Sequence, residues 1–374
     1  MEFCFNGYQQ LQKKIISSEI CTLCGACEVA CPMNAIEITE TNNSQVYDCN
    51  DIVPECRICY DICPHTGPNI QKVFDEFSTG PSFLPGIGRF YSIKIARSTF
   101  GDIRELTGSG GVATSLALCA LEEGLVDAVV ASETKELGNM KFQLKQKIPP
   151  ISDFLPSMLS VHFHPAAVAK AFDSLIKGYS GSRVAFVGVP CHMIAMRKLQ
   201  IFGHKSSDEL GPLIGLFCLW SISSLKDLIE SLEERGVEKA KIRSIELDSE
   251  FNVNIGSNQI KIPTKEIWER VREGCKTCQD LTGLVSDVSV GRVEGVSPDW
   301  SVLIIRSKNG EDLVNRAVRG KYIECSEADA SVKENLISLS MKKKHFAEEE
   351  YKEDIKRGLL TPEAFEVLHD NIAG

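Results

Sequence analysis

Two tandem cysteine runs, each closing on Cys-Pro, constrain this chain more than any other feature. The first reads Cys21-Thr22-Leu23-Cys24-Gly25-Ala26-Cys27-Glu28-Val29-Ala30-Cys31-Pro32, and the second comprises Cys49, Cys56, Cys59, Cys63 and Pro64. Thiols packed this densely must cross-link or hold metal. Disulfides belong to an oxidising compartment, yet the N-terminus carries Glu2, Asn6 and Gln9 and lacks the basic and apolar regions of a signal peptide. Metal ligation in a reducing, cytoplasmic setting is therefore the expectation.

The spacing Cys-x2-Cys-x2-Cys-x3-Cys-Pro is that of a bacterial-type ferredoxin. Structural zinc sites also use Cys-x2-Cys pairs, but two tandem Cys-x3-Cys-Pro endings favour iron–sulfur clusters. In two-cluster ferredoxins the fourth Cys of each run ligates the other cluster. That assigns Cys21, Cys24, Cys27 and Cys63 to one [4Fe-4S] cluster, and Cys31, Cys49, Cys56 and Cys59 to a second. The second run departs from the pattern, with six residues between Cys49 and Cys56. Gly25 permits the sharp turn of the first loop, and Pro32 and Pro64 stop what precedes them. Asn34–Ile38 and Asn69-Ile70 read as paired exits into strands, and residues 1–20 as an amphipathic lead-in whose Leu11, Ile15 and Ile16 cover the module.

Residues 75–90, with Gly80, Pro81, Pro85, Gly86 and Gly88, read as a linker. Beyond it the pattern becomes α/β. A strand at Tyr91–Arg97 leads to Thr107-Gly108-Ser109-Gly110-Gly111-Val112-Ala113-Thr114, an apolar helix over Ser115–Glu123 and a buried strand from Asp127. A glycine-rich turn at a helix start suits an anion. Tight packing explains it equally, and it matches neither the dinucleotide fingerprint nor the P-loop. Two buried strands then end in Cys191 and Cys218, and Cys275-Lys276-Thr277-Cys278 precedes the strand Asp287–Gly291. Together these supply four thiolates, enough for a third cubane. A thioredoxin-type Cys-x-x-Cys or unrelated buried cysteines are the alternatives. Cys4, Cys119 and Cys325 have no partners at ligand spacing. Glu246–Ile262 reads as an edge hairpin, and residues 334–374 as a charged helical tail, solvated rather than docked, that includes Lys342-Lys343-Lys344.

Composition narrows the function. A net charge of −10 argues against nucleic-acid binding, and no run is long and apolar enough to span a membrane. Any membrane association is expected to be peripheral, through a partner complex.

Gly-Gly-Val-x-Thr-x-Leu at 110–116, Leu-Glu-Glu-Gly at 121–124, Gly-Val-Pro-Cys at 188–191, Gly-Leu-Phe-Cys at 215–218, Cys-x2-Cys-x-Asp-Leu-Thr from Cys275 and Ser-Asp-Val-Ser-Val-Gly ending at Gly291 resemble the family of coenzyme F420 hydrogenase/dehydrogenase beta subunits. With a ferredoxin module in front, the layout is similar to the electron-input subunit of reduced-F420 dehydrogenases. The resemblance implies an α/β fold: a two-cluster ferredoxin module (1–74), the linker, a larger flavin-binding domain with a mixed sheet (91–333) and the tail. It implies FAD at Thr107, Gly108, Ser109, Gly110, Gly111 and Thr114, and a [4Fe-4S] cluster on Cys191, Cys218, Cys275 and Cys278.

The implied activity is hydride exchange between coenzyme F420 and FAD, with single electrons relayed through three clusters to or from a partner of dehydrogenase, hydrogenase or heterodisulfide-reductase type. No side chain is required as a catalytic acid or base. Leu219-Trp220-Ser221-Ile222-Ser223 departs from the acidic or Asn-containing segment of many F420-using relatives. NADH or ferredoxin as the donor, or a flavin-free electron-transfer adaptor, are the alternatives.

Overall fold

The apolar runs between residue 91 and residue 327 assemble into one eight-stranded mixed sheet. Its strands are β1 (Ser92–Ser98), β2 (Ala128–Glu136), β3 (Asn139–Gln146), β4 (Val184–Gly188), β5 (Leu210–Leu216), β6 (Val288–Gly291), β7 (Ser301–Ile305) and β8 (Ile323–Glu327). Their spatial order is β8-β1-β7-β6-β5-β4-β2-β3. Strands β2, β4, β5 and β6 run parallel, and the flanking pairs are antiparallel. The computed structural model describes residues 7–39, 43–107, 110–136, 139–146, 183–223, 225–238, 242–247, 251–255, 258–359 and 362–373.

Parallel strands are covered on both faces, which is why Val184–Gly188 is buried at every position. Alternate side chains point to opposite sides. Val129, Ala185, Val187 and Ile214 meet helices α1 (Val112–Glu122) and α3 (Lys308–Arg319). Val130, Val184, Phe186 and Leu213 meet α2 (Pro190–Ile201) on the other face.

The cysteine-rich module packs on the outer side of α2 and shares its core. Leu11, Ile15, Tyr60, Ile62 and Val73 belong to one apolar cluster with Met193, Ile194 and Leu199. The lead-in therefore covers the module as expected. A side chain of this kind contributes roughly 1.5–3 kcal/mol when fully buried, so the module is fastened to the sheet domain.

Three local readings are corrected. Ile70–Phe77 is a helix rather than a strand, because Ile70, Val73, Phe74 and Phe77 recur at helical spacing and the first three are buried. The 75–90 stretch is no linker: it completes that helix and then forms a hairpin of Ser82–Leu84 against Gly88–Phe90. Gly86 (φ 75°) and Gly88 (φ 72°) make its turn. The Arg306 guanidinium donates to Ile87 O and Arg89 O at 3.0 Å and locks it to the sheet. Residues 242–262 form a separate three-stranded meander rather than a single hairpin.

The tail is the fourth correction. Helix α4 (Ala330–Lys356) starts at an Asp329 cap that accepts from Val332 N at 2.9 Å. It buries Val332, Leu336, Ser340, Lys343 and Ala347 along one face. After it, α5 (Phe365–Ala373) returns to the module and buries Phe365, Leu368 and Ile372.

Glu363, just before α5, accepts from Lys14 Nζ at 2.6 Å, Tyr60 Oη at 2.6 Å and Gly67 N at 3.2 Å. Burial acts to raise its carboxyl, but the donors prevail and hold its pKa below the ordinary 4.5. A depressed carboxylate contributes stability above its unfolded pKa and loses it as pH falls through the folded value. Glu363→Gln is expected to cost about 1 kcal/mol at neutral pH, discounted for exposure. The difference should vanish in urea titrations at pH values below the folded pKa; equal midpoints at pH 7 would contradict it.

Candidate functional site

The cysteine loops fold as their local chemistry dictates. Gly25 adopts φ 85° and caps the short helix Ala26–Ala30, which ends at Cys31 before Pro32. The Cys27 thiol interacts electrostatically with those of Cys21, Cys24 and Cys63. The Cys59 thiol does so with those of Cys56, Cys31 and Cys49. Cys63 thus lies near the thiols of the first run and Cys31 near those of the second. Cys21, Cys24, Cys27 and Cys63 line one cavity with Leu11, Ile15 and Pro64.

A third set forms across the sheet edge. Cys191 stands in the first turn of α2, Cys218 follows β5, and Cys275 lies in the short helix Glu273–Lys276 with Cys278 just after it. The Cys191 thiol interacts with Cys275, Cys218 and Cys278, and also with Cys24 of the first set. Cys27 likewise interacts with Cys59 of the second. The Cys21 set thus adjoins both of the others.

Among the described residues, no three His, Cys, Asp or Glu side chains close on a single metal ion. A cubane spreads its thiolates over four irons, wider than four thiolates on one zinc. The donors around the thiols also fit a sulfur-rich anionic group. Asn43 Nδ2 donates to Cys27 Sγ at 3.5 Å and Cys21 Sγ at 3.8 Å, Gln45 Nε2 to Cys49 Sγ at 3.6 Å, and Ala35 N to Cys31 Sγ at 3.3 Å. Around the third set, Trp220 Nε1, Arg272 Nε and Thr277 Oγ1 are buried without hydrogen-bond partners. Orphaned donors on that scale call for an acceptor, and cluster sulfides and thiolates would be one.

As free thiols these cysteines resist ionisation. Burial pushes Cys24 and Cys218 up to about 12 and Cys275 to about 11, and pushes Cys27 and Cys191 well above the ordinary value. Metal ligation inverts this preference, because a coordinating thiol is deprotonated outright.

Residues absent from the sequence reading complete the site. Lys198 of α2, 1% exposed, donates to Cys63 O at 2.6 Å and Thr66 O at 2.8 Å. Burial lowers its ammonium to about 8. Its signal was a lone lysine in the run Met193–Leu199. Arg272 joins the first and third sets, donating from Nη1 to Cys21 O at 3.4 Å and from its backbone N to Ser221 O at 2.9 Å. Gly274 lets the two loops touch, since a Cβ there would lie 2.1 Å from Ile20 O. Gly274→Ala is therefore expected to push the Cys21 and Cys275 loops apart and to lower stability by about 1–3 kcal/mol, the range for overpacking. Anaerobic urea unfolding would read this; an unchanged midpoint would contradict it.

The glycine-rich turn lies at the same sheet edge. Gly110 O accepts from Ser98 N at 2.6 Å at the end of β1, and a Gly110 Cβ would lie 2.8 Å from Ser301 N at the start of β7. Gly111 (φ 67°) caps α1 with no side-chain hydrogen bond, which leaves the first-turn N–H groups to an anion. Thr107 and Thr114 are buried, and the Thr107 hydroxyl donates to Ile103 O at 2.8 Å. Gly108 and Ser109, like Cys4, lie outside the described residues. Between the turn and Cys218 stand β7 and β6, and three inter-strand steps of about 4.8 Å make roughly 14 Å. Cys119 is a core residue of α1, and Cys325 lies on β8.

Three family descriptions match the chain. "Coenzyme F420 hydrogenase/dehydrogenase, beta subunit N-term" covers residues 93–145, its C-terminal counterpart residues 181–331, and "4Fe-4S binding domain" residues 14–37. The coenzyme F420 hydrogenase subunit beta of Methanothermobacter thermautotrophicus is 29% identical over 74% of this chain and 99% of its own length. An F420H2 dehydrogenase subunit of Methanosarcina mazei is 25% identical over 80% of this chain and 82% of its own. A chain of the F420-reducing [NiFe] hydrogenase complex from Methanosarcina barkeri superposes with a TM-score of 0.68, covering 75% of this chain and 98% of that one. At 23% identity that likeness speaks to the fold alone.

Proposed function

Because this chain belongs to the family of coenzyme F420 hydrogenase/dehydrogenase beta subunits, we propose that it is the flavin-bearing subunit of an oxidoreductase complex, exchanging electrons between coenzyme F420 and a partner. The observation that carries this reading is the proximity of the three four-thiol sets, the Cys21 set adjoining the others through Cys24 and Cys191 and through Cys27 and Cys59. Bound FAD would supply the conversion between a hydride and single electrons, which iron–sulfur clusters cannot perform alone.

The chain's own residues supply position and charge. The Gly110-Gly111 turn and the uncapped α1 N-terminus would receive the anionic part of the cofactor. Thr107, Gly108, Ser109 and Thr114 are the other proposed contacts. Cys191, Cys218, Cys275 and Cys278 would hold the cluster nearest the flavin. Cys21, Cys24, Cys27 and Cys63 would hold the middle one, and Cys31, Cys49, Cys56 and Cys59 the outermost. Near that last set Val46, Tyr47 and Ile52 are 60%, 40% and 58% exposed, which favours the Cys49 loop as the face toward a partner protein.

Protein purified anaerobically should carry flavin and about twelve iron atoms, the sum of three four-iron clusters. Its flavin should bleach with reduced F420. Bleaching by NADH alone would replace the donor, and iron without flavin would leave a plain electron-transfer adaptor.

A further inference from the structure

We propose that Lys343 sets the reduction potential of the cluster on Cys191, Cys218, Cys275 and Cys278. The inference deepens the function proposed above and rests on that third cluster. Lys343 lies in the basic run Lys342–Lys344, which as a surface patch would face a polyanionic substrate or a partner. The fold leaves Lys342 exposed but withdraws the other two from this use. Lys343 is 1% exposed and Lys344 is 5% exposed, the latter 3.8 Å from Glu348.

The Lys343 ammonium reaches Cys218 O at 2.7 Å, Asp280 O at 2.6 Å and Cys278 Sγ at 3.6 Å. Among the described residues these are its hydrogen bonds, and no carboxylate pairs with it. The Asp280 carboxylate acts electrostatically on the ammonium without an ion-pair contact, since its own hydrogen bonds come from the backbone N–H groups of Thr282, Gly283 and Leu284 at 2.8–3.0 Å. A buried cation with no carboxylate in contact is disfavoured. The thiolates of a cluster would be the anion in direct contact with it.

The consequence is electrostatic. Reduction adds one electron to an already anionic group, and a fixed ammonium in hydrogen-bond contact with one of its sulfurs stabilises the reduced form more than the oxidised one. Two carbonyls anchor the ammonium, so it cannot swing away to water. Helix α4 thus acts as the arm that delivers a charge from one end of the chain to a site built by the middle of it.

The test is a potentiometric titration read by EPR on the full protein, with the third cluster assigned as the signal missing in Cys218→Ser. Lys343→Gln removes the charge and keeps a donor; Lys343→Arg keeps the charge. With iron content intact, Lys343→Gln should lower the third cluster's reduced-to-oxidised ratio at fixed potential at least tenfold, about 59 mV for a one-electron couple. Lys343→Arg should stay within a threefold change, and the other two clusters should not move. An unshifted potential in Lys343→Gln, or equal shifts in both variants, overturns the inference and leaves the function proposed above standing. Loss of the third cluster's iron in both variants assigns Lys343 to holding the loop and likewise overturns it. A third cluster missing from the unsubstituted protein would overturn that function itself.

Discussion

Cys63→Ser is expected, on the function proposed above, to abolish electron delivery to external acceptors while leaving the flavin reducible. Cys63 closes the second cysteine run, but its thiol stands with Cys21, Cys24 and Cys27, so the cluster lost would belong to the first run. That set adjoins both of the others, through Cys24 near Cys191 and Cys27 near Cys59. Iron content should fall by about four of about twelve atoms. EPR should retain the signals assigned to the Cys49 and Cys218 sets. In Cys31→Ser the pattern should invert, with the Cys49 set lost and the middle cluster kept. Loss in Cys63→Ser of the cluster built on Cys49, Cys56 and Cys59 would refute the crossed arrangement.

Asp287→Ala is expected to cost about 3–5 kcal/mol, the range for stripping one partner from a buried ion pair. Asp287 immediately precedes β6 and ties three elements together. Its Oδ2 accepts from Leu213 N at 2.8 Å in β5 and lies 3.1 Å from Arg197 Nη2 of α2, while its Oδ1 accepts from Ser307 Oγ at 2.5 Å at the start of α3. The ion pair is 7% and 4% exposed. Removal of the carboxylate leaves a buried guanidinium uncompensated and a strand N–H unpaired. Anaerobic urea unfolding followed by far-UV circular dichroism should show the lowered midpoint. Asp287→Asn, which keeps an acceptor for Leu213 N, should lose less. A loss below about 1 kcal/mol in Asp287→Ala would show that Arg197 finds enough elsewhere, for instance at Val285 O, 2.9 Å from its Nε.

The cysteine constellation was legible to a degree the rest was not. Ligand spacing is short-range: the turn between Cys21 and Cys27 has few ways to close, and Pro32 and Pro64 mark where each run ends. The strand-end cysteines were legible for a related reason, since buried parallel strands announce themselves as apolar runs and sites gather at their C-terminal ends. The misreadings share another cause. Gly80, Pro81, Pro85, Gly86 and Gly88 signal tight turning, and tight turning occurs in a docked hairpin as readily as in a linker. The residues that settle the matter, Arg306 and its carbonyl partners at 87 and 89, are more than two hundred positions apart.

The chain's local chemistry thus marked the cysteine runs with their tight turns and the buried strands of the α/β domain. Long-range packing decided the rest: which thiol sets adjoin one another, the clamp of the C-terminal segment on the module, and the burial of Lys198 and Lys343. A lysine's charge makes it read as surface in any local window. Its burial depends on carbonyls and thiols brought to it from elsewhere, and for Lys343 these lie 63 to 125 residues away.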